Sequence, residues 1–133
     1  MIKGRCFCGK NRYEVSNEFF EVMYCHCSNC RKLHSSAFAV YGATKVENFH
    51  WINSSPTLVE FKSSLAVTRH FCGTCGSLLV STDNTEPDTI YLSLGTVDEP
   101  SNILPEYHQF ASSRVSWCKV QDGLPKYGHW PPD

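Results

Sequence analysis

Short apolar runs separated by polar, turn-forming residues recur along the chain. "NRYEV" (11–15), "FFEVMY" (19–24), "AFAVYG" (37–42), "TLVEFK" (57–62), "AVTRHF" (66–71), "SLLVS" (77–81) and "TIYLSLG" (89–95) are rich in Val, Phe, Tyr, Ile and Leu. Asn, Ser, Asp, Gly and Pro bound them, and such runs read as β-strands, so seven short strands are expected. An i, i+3, i+4, i+7 apolar pattern persists nowhere for a dozen residues, and only "SNCRKLHSSAF" (28–38) suits a turn or two of helix. The stretch from Glu99 to Asp133 carries five of the seven prolines and is expected to wrap the sheet in extended or irregular conformation. The expected fold class is therefore all-β with little helix.

With 133 residues and no internal repeat, low-complexity tract or Gly/Ser linker, the chain is expected to form a single domain, 1–133. Hydrophobic residues at 41% and charged residues at 19% describe a globular chain. Twelve Lys and Arg nearly balance thirteen Asp and Glu, and no basic run of five occurs, which argues against nucleic acid as a partner. Neither a signal-peptide-like start nor an apolar run of membrane-spanning length is present, so the expectation is a soluble, cytoplasmic protein without membrane attachment.

Eight cysteines change the picture. In a reducing compartment, clusters at C-x-C or C-x-x-C spacing bind metal more often than they form disulfides. Cys6 and Cys8 stand in "RCFCGK" and Cys72 and Cys75 in "FCGTCGS". Four thiolates from two tight turns suit a tetrahedral zinc ion with every position filled, and Gly9 and Gly76 allow the backbone positive φ just after each pair. Such a site would tie the first strand to the central sheet.

The third cluster, Cys25, Cys27 and Cys30 in "CHCSNC", has no obvious fourth member. Along an extended segment Cys25 and Cys27 point to one side and His26 away, and Cys30 comes round on the following turn. Three protein ligands with an open position is the pattern of a catalytic zinc. His34 would close the site if it also ligated, and a second structural site or a metal-free redox cluster are the other readings. Three thiolates on Zn²⁺ leave about −1 of charge, which acidifies water less than a neutral ligand set does and favours a sulfur ligand instead. Arg31 and Lys32 are candidates to offset that charge, although a solvated charged face accounts for them as well.

The set "GRCFCGKNRY", "CHCSNCRKLHSSAF", "RHFCGTCGS", "YLSLGTVD" and "EYHQF", followed by "RVSWCKVQDGLPKY", resembles the glutathione-dependent formaldehyde-activating enzyme family, whose domain also occurs in centromere protein V. The likeness runs from about Gly4 to Tyr127. It implies a zinc-bound β-tent fold with two zinc ions, a structural one on Cys6, Cys8, Cys72 and Cys75 and a second, open one on Cys25, Cys27 and Cys30. The implied activity is carbon–sulfur lyase chemistry: condensation of glutathione with formaldehyde to S-hydroxymethylglutathione, or its reversal. One departure is "HSSAF" where the family commonly has a "GSAF"-like turn, at Ser35.

Arg69 and His108 match recurring family positions and are candidates to contact the thiol or glutathione, with structural hydrogen bonding as the default. His70 alternates with Arg69 and should face the other way. Trp117 and Trp130 read as packing groups rather than a binding platform, and Cys118 as a small buried hydrophobe. A non-catalytic zinc module whose sheet binds another protein is the alternative function. A closed second site or an apolar exposed sheet face would favour it.

Overall fold

The computed structural model describes residues 1–54, 56–99 and 102–132. Ten strands and one helix follow in order: β1 (Ile2–Arg5), β2 (Arg12–Val15), β3 (Glu21–Cys25), α1 (Ser28–His34), β4 (Ala39–Lys45), β5 (Phe49–Asn53), β6 (Leu58–Lys62), β7 (Val67–Cys72), β8 (Leu78–Asp83), β9 (Thr89–Ser93) and β10 (Tyr107–Gln109). The all-β expectation holds, with a single two-turn helix where "SNCRKLHSSAF" allowed one. Each of the seven expected strands is present.

Three further strands were not foreseen. β1, "IKGR", alternates two charges with a Gly, and β5, "FHWIN", sits directly after the 3₁₀ turn Val46–Asn48. β10 has three residues and forms by pairing in parallel with β3, a partner more than eighty positions away. Three residues give no measurable alternation, so only the partner makes β10 a strand. Otherwise the stretch after Glu99 is irregular, as expected; its Pro100, Ser101 and Asp133 lie outside the described residues.

Two sheets result. β1, β2 and β5 form a three-stranded sheet, and the seven-stranded sheet has the order β10-β3-β4-β9-β8-β7-β6, antiparallel apart from the β10–β3 pair. Period-two alternation gives the large sheet two different faces. One buries Leu79, Val80, Ile90 and Leu92 with Ile2, Tyr13, Val15 and Phe49 of the small sheet. The other carries Met23, Cys25, Tyr41 and Tyr107 around Cys30 of α1. Among the described residues no helix is long and apolar enough to cross a membrane.

Candidate metal centres and cleft

The first cysteine set lies where two similar turns meet. After β1, the Cys6 amide donates to the Asn11 carbonyl at 3.0 Å and the Gly9 amide to the Cys6 carbonyl at 3.1 Å. After β7, the Cys72 amide donates to the Ser77 carbonyl at 2.9 Å and the Gly76 amide to the Cys72 carbonyl at 2.7 Å. Gly9 and Gly76 take φ of +78° and +84°, the left-handed conformation expected of them. The turns are joined by the Phe7 amide, which donates to Ser77 Oγ at 2.9 Å.

Sulfur geometry here fits zinc. Cys6 and Cys8 Sγ are 3.6 Å apart and Cys8 and Cys72 Sγ 3.7 Å. A tetrahedral ion with Zn–S near 2.3 Å requires sulfurs about 3.8 Å apart. With Cys75 the four ligand atoms lie within 4.8 Å of one another, and the set can hold a metal. Cys75 is desolvated, which raises its thiol, but hydrogen bonds from Ser77, the Cys8 backbone and Cys72 together outweigh this and draw it down to about 5.

The second set is built differently, from the end of a strand and the start of a helix. Cys25 ends β3, Cys27 is the N-cap of α1, and Cys30 lies in its first turn. The Cys30 amide donates to Cys27 Sγ at 3.3 Å, so a thiol fills the position that Ser or Asp usually takes. Hydrogen bonds from Cys25, then Cys30, and from the helix N-terminal amides pull the Cys27 thiol down to about 2. Its neighbour Cys25, hydrogen-bonded to the resulting thiolate, is pushed up. The three sulfurs lie within 4.8 Å of one another and can hold a metal.

At the C-terminus of α1, Ser35 adopts φ 50°, a left-handed cap that glycine fills more easily. The Ser36 amide still closes the helix on the Arg31 carbonyl at 3.1 Å. "HSSAF" therefore makes the same kind of turn that a glycine would, with a β-carbon in place.

Tyr41 on β4 joins the second set to its surroundings. Its hydroxyl lies 3.3 Å from Cys30 Sγ, accepts from Arg69 Nη1 at 2.9 Å, and lies 3.0 Å from His34 Nε2. With Cys30 as thiolate, one pattern satisfies every group: Tyr41 O–H donates to sulfur while Arg69 and His34 both donate to the Tyr41 oxygen. His34 Nε2 is thus spent on Tyr41, and no His34 nitrogen joins the sulfur cluster, which leaves three ligands among the described residues. Burial, reinforced by Arg69, holds the His34 imidazole down at about 4 and hence neutral at pH 7. Arg69 is itself buried and also donates to Ser63 and Ser81 Oγ.

All three sulfurs of this set line a cleft of about 590 Å³ on the open face of the large sheet. Met23, Tyr41, Arg69, Tyr91, Tyr107, Phe110 and Trp130 line it, together with the carboxylates of Glu21 and Glu86. None of Cys6, Cys8, Cys72 and Cys75 lines it. Arg31 and Lys32 do not line it either, so within the cleft the charge opposite the thiolates comes from Arg69.

His108 stands elsewhere. Tyr107 and Gln109 face the cleft, and alternation turns His108 to the reverse side of β10. There Nε2 donates to Asp122 Oδ2 at 2.7 Å, Nδ1 meets His26 Nε2 at 2.8 Å, and the ring stacks on Tyr24 at 4.4 Å. The hydrogen bond from His108 holds the Asp122 carboxyl at about 2, and burial holds His26 at about 4. His26 does point away from Cys25 and Cys27. His70 faces away from Arg69, toward Glu60 at 3.8 Å. Cys118 is half-buried and joins neither set, and Trp117 is exposed. Trp130 is 71% exposed and on the cleft, where the sequence suggested only packing. Tyr41 was missed because a lone Tyr in a strand carries no signal of what it faces.

A comparison with curated proteins gives no match. Among solved structures, a crystal structure of a Rhodobacter sphaeroides protein from the Northeast Structural Genomics effort superposes with a TM-score of 0.64. At 21% identity, covering 76% of this chain and 92% of that one, it shows a shared fold. The family model described as glutathione-dependent formaldehyde-activating enzyme matches residues 1–113, which contain both cysteine sets. The chain therefore belongs to the glutathione-dependent formaldehyde-activating enzyme family.

Proposed function

We propose that the protein is a zinc-dependent carbon–sulfur lyase that joins glutathione to formaldehyde as S-hydroxymethylglutathione, or reverses that step. The observation that carries this reading is the convergence on an open cleft of three sulfurs with no fourth ligand among the described residues. Cys25, Cys27 and Cys30 would hold the reactive zinc, and Cys6, Cys8, Cys72 and Cys75 the structural one. Zinc held there would supply a positive centre that keeps an incoming thiol deprotonated near neutral pH.

In the forward direction the sulfur of glutathione attacks the formaldehyde carbon, and the C=O π pair moves onto oxygen. The proton lost by the thiol ends on the new hydroxyl, so the reaction needs no external acid or oxidant. Bringing the two reactants together removes much of the entropic barrier to a bimolecular step. Three thiolates and a dication carry about −1, and the buried Arg69 guanidinium, coupled to Cys30 through Tyr41, offsets it. Cys27 on a helix N-terminus favours its thiolate form for the same electrostatic reason.

The test is formaldehyde consumption with glutathione, measured on fully zinc-loaded protein against the uncatalysed rate. Acceleration that disappears when the open site is emptied is the expected result. No acceleration from a fully metallated sample would sink the activity and leave the non-catalytic, protein-binding zinc module.

A further inference from the structure

Residues beyond 113 lie outside the family match, yet they complete the cleft. From Asp122 to Pro131 the chain runs beside β10 as a strap, bridged in parallel at His108 and Lys126. The His108 amide donates to the Pro125 carbonyl at 2.9 Å, and the Tyr127 amide returns a bond to the His108 carbonyl at 2.8 Å. Further along, the Ala111 amide donates to Tyr127 and the Phe110 amide to His129, both at 2.9 Å. The Asp122–His108–His26 chain fastens the start of the strap from behind. His108 is thus the anchor of this segment and is not at the cleft.

What the strap delivers is Trp130. Its indole meets the Phe110 ring edge-on at 4.7 Å and 79°, and it lines the cleft while 71% exposed. A large aromatic side chain held at a cleft wall with its surface uncovered offers apolar area, and its ring face attracts cations. Tyr91 and Tyr107 line the same cleft, and their hydroxyls donate to the carboxylates of Glu86 at 2.7 Å and Glu21 at 3.0 Å. Arg69 is the one Lys or Arg among the described residues lining the cleft, and its guanidinium is engaged by Tyr41, Ser63 and Ser81. Beside small polar groups such as Ser63, Ser81 and Thr82, the lining away from the sulfurs is aromatic, and all its charged groups apart from Arg69 are acidic.

We propose that the strap is a specificity element in which Trp130 is the wall against which the ammonium-bearing part of the substrate packs, so that the cleft selects thiols carrying a free amine. This rests on the reading of the three-sulfur site as a thiol site. An N-acylated thiol keeps the sulfur but lacks the cation that ring faces and carboxylates favour.

The experiment is calorimetric titration of the zinc-loaded full chain with glutathione and with N-acetylglutathione. Native protein is expected to prefer glutathione about tenfold. Trp130→Ala should weaken glutathione about tenfold and the acylated thiol little, erasing the preference, while Trp130→Phe keeps most of it. The exposed indole supports no core packing, and unchanged melting and zinc content in both variants check that the fold is kept. Equal affinity of the native protein for both thiols, or an intact preference in Trp130→Ala, overturns the inference and leaves the thiol site standing. Failure of both thiols to bind removes the thiol reading and this inference together.

Discussion

The two cysteine sets are close in composition and opposite in construction. Four sulfurs from two glycine-ended turns face one another across segments more than sixty residues apart, and none of them borders a cleft. Three sulfurs from one six-residue stretch point into a cleft of about 590 Å³. A metal in the first links the N-terminal strand to the large sheet, so its binding energy is folding energy. A metal in the second would cross-link only residues already close in sequence, so it would add little to the fold. The two sets differ in ligand separation along the chain rather than in ligand type.

The largest effect should come from breaking the long-range set. Cys72→Ser is expected to lose that zinc and unfold, because a structural zinc contributes on the order of 10 kcal/mol, comparable to the whole stability of a domain. Circular dichroism and thermal melting check it. A folded Cys72→Ser protein with unchanged melting would remove the structural role.

Smaller in stability and larger in activity is Cys27→Ser. Serine is a favoured N-cap, so α1 should survive, and the protein should lose one zinc per chain with the melting transition nearly in place. Elemental analysis beside melting curves separates the two outcomes. Equal destabilisation by Cys27→Ser and Cys72→Ser would erase the contrast between the sites.

Least drastic is Tyr41→Phe, which keeps the ring and deletes the hydroxyl shared by Cys30, His34 and Arg69. Leaving buried donors without that acceptor should cost about 1–3 kcal/mol. Denaturant unfolding measures the loss, and chelator challenge should show faster release from the three-sulfur site with the four-sulfur site unaffected. An unchanged release rate would mean that Tyr41 supports Arg69 alone.

Local signals were strong enough to read both sets. C-x-C-G and C-x-x-C-G state ligand spacing and the need for positive φ in a few adjacent residues, and Gly9 and Gly76 meet that need. The apolar runs, each long enough to show period two, stated their strands. Side-chain partnerships between distant segments left no such trace. His108 was a candidate for substrate contact, yet a register of Tyr107 on Met23 and Gln109 on Cys25 turns it to the back of the sheet. Trp130 read as a packing group because nothing near it in sequence indicates a cleft.

The sequence by itself determined the strand-rich character, the ligand types and the grouping of seven cysteines, since these depend on residues within a few positions of one another. Tertiary structure alone decided which set borders the cleft, that His34 is engaged by Tyr41, and that residues after 113 help to line it. Those outcomes depend on strand pairing and strap docking over long separations, where the choice of face is fixed by register and packing rather than by any local pattern.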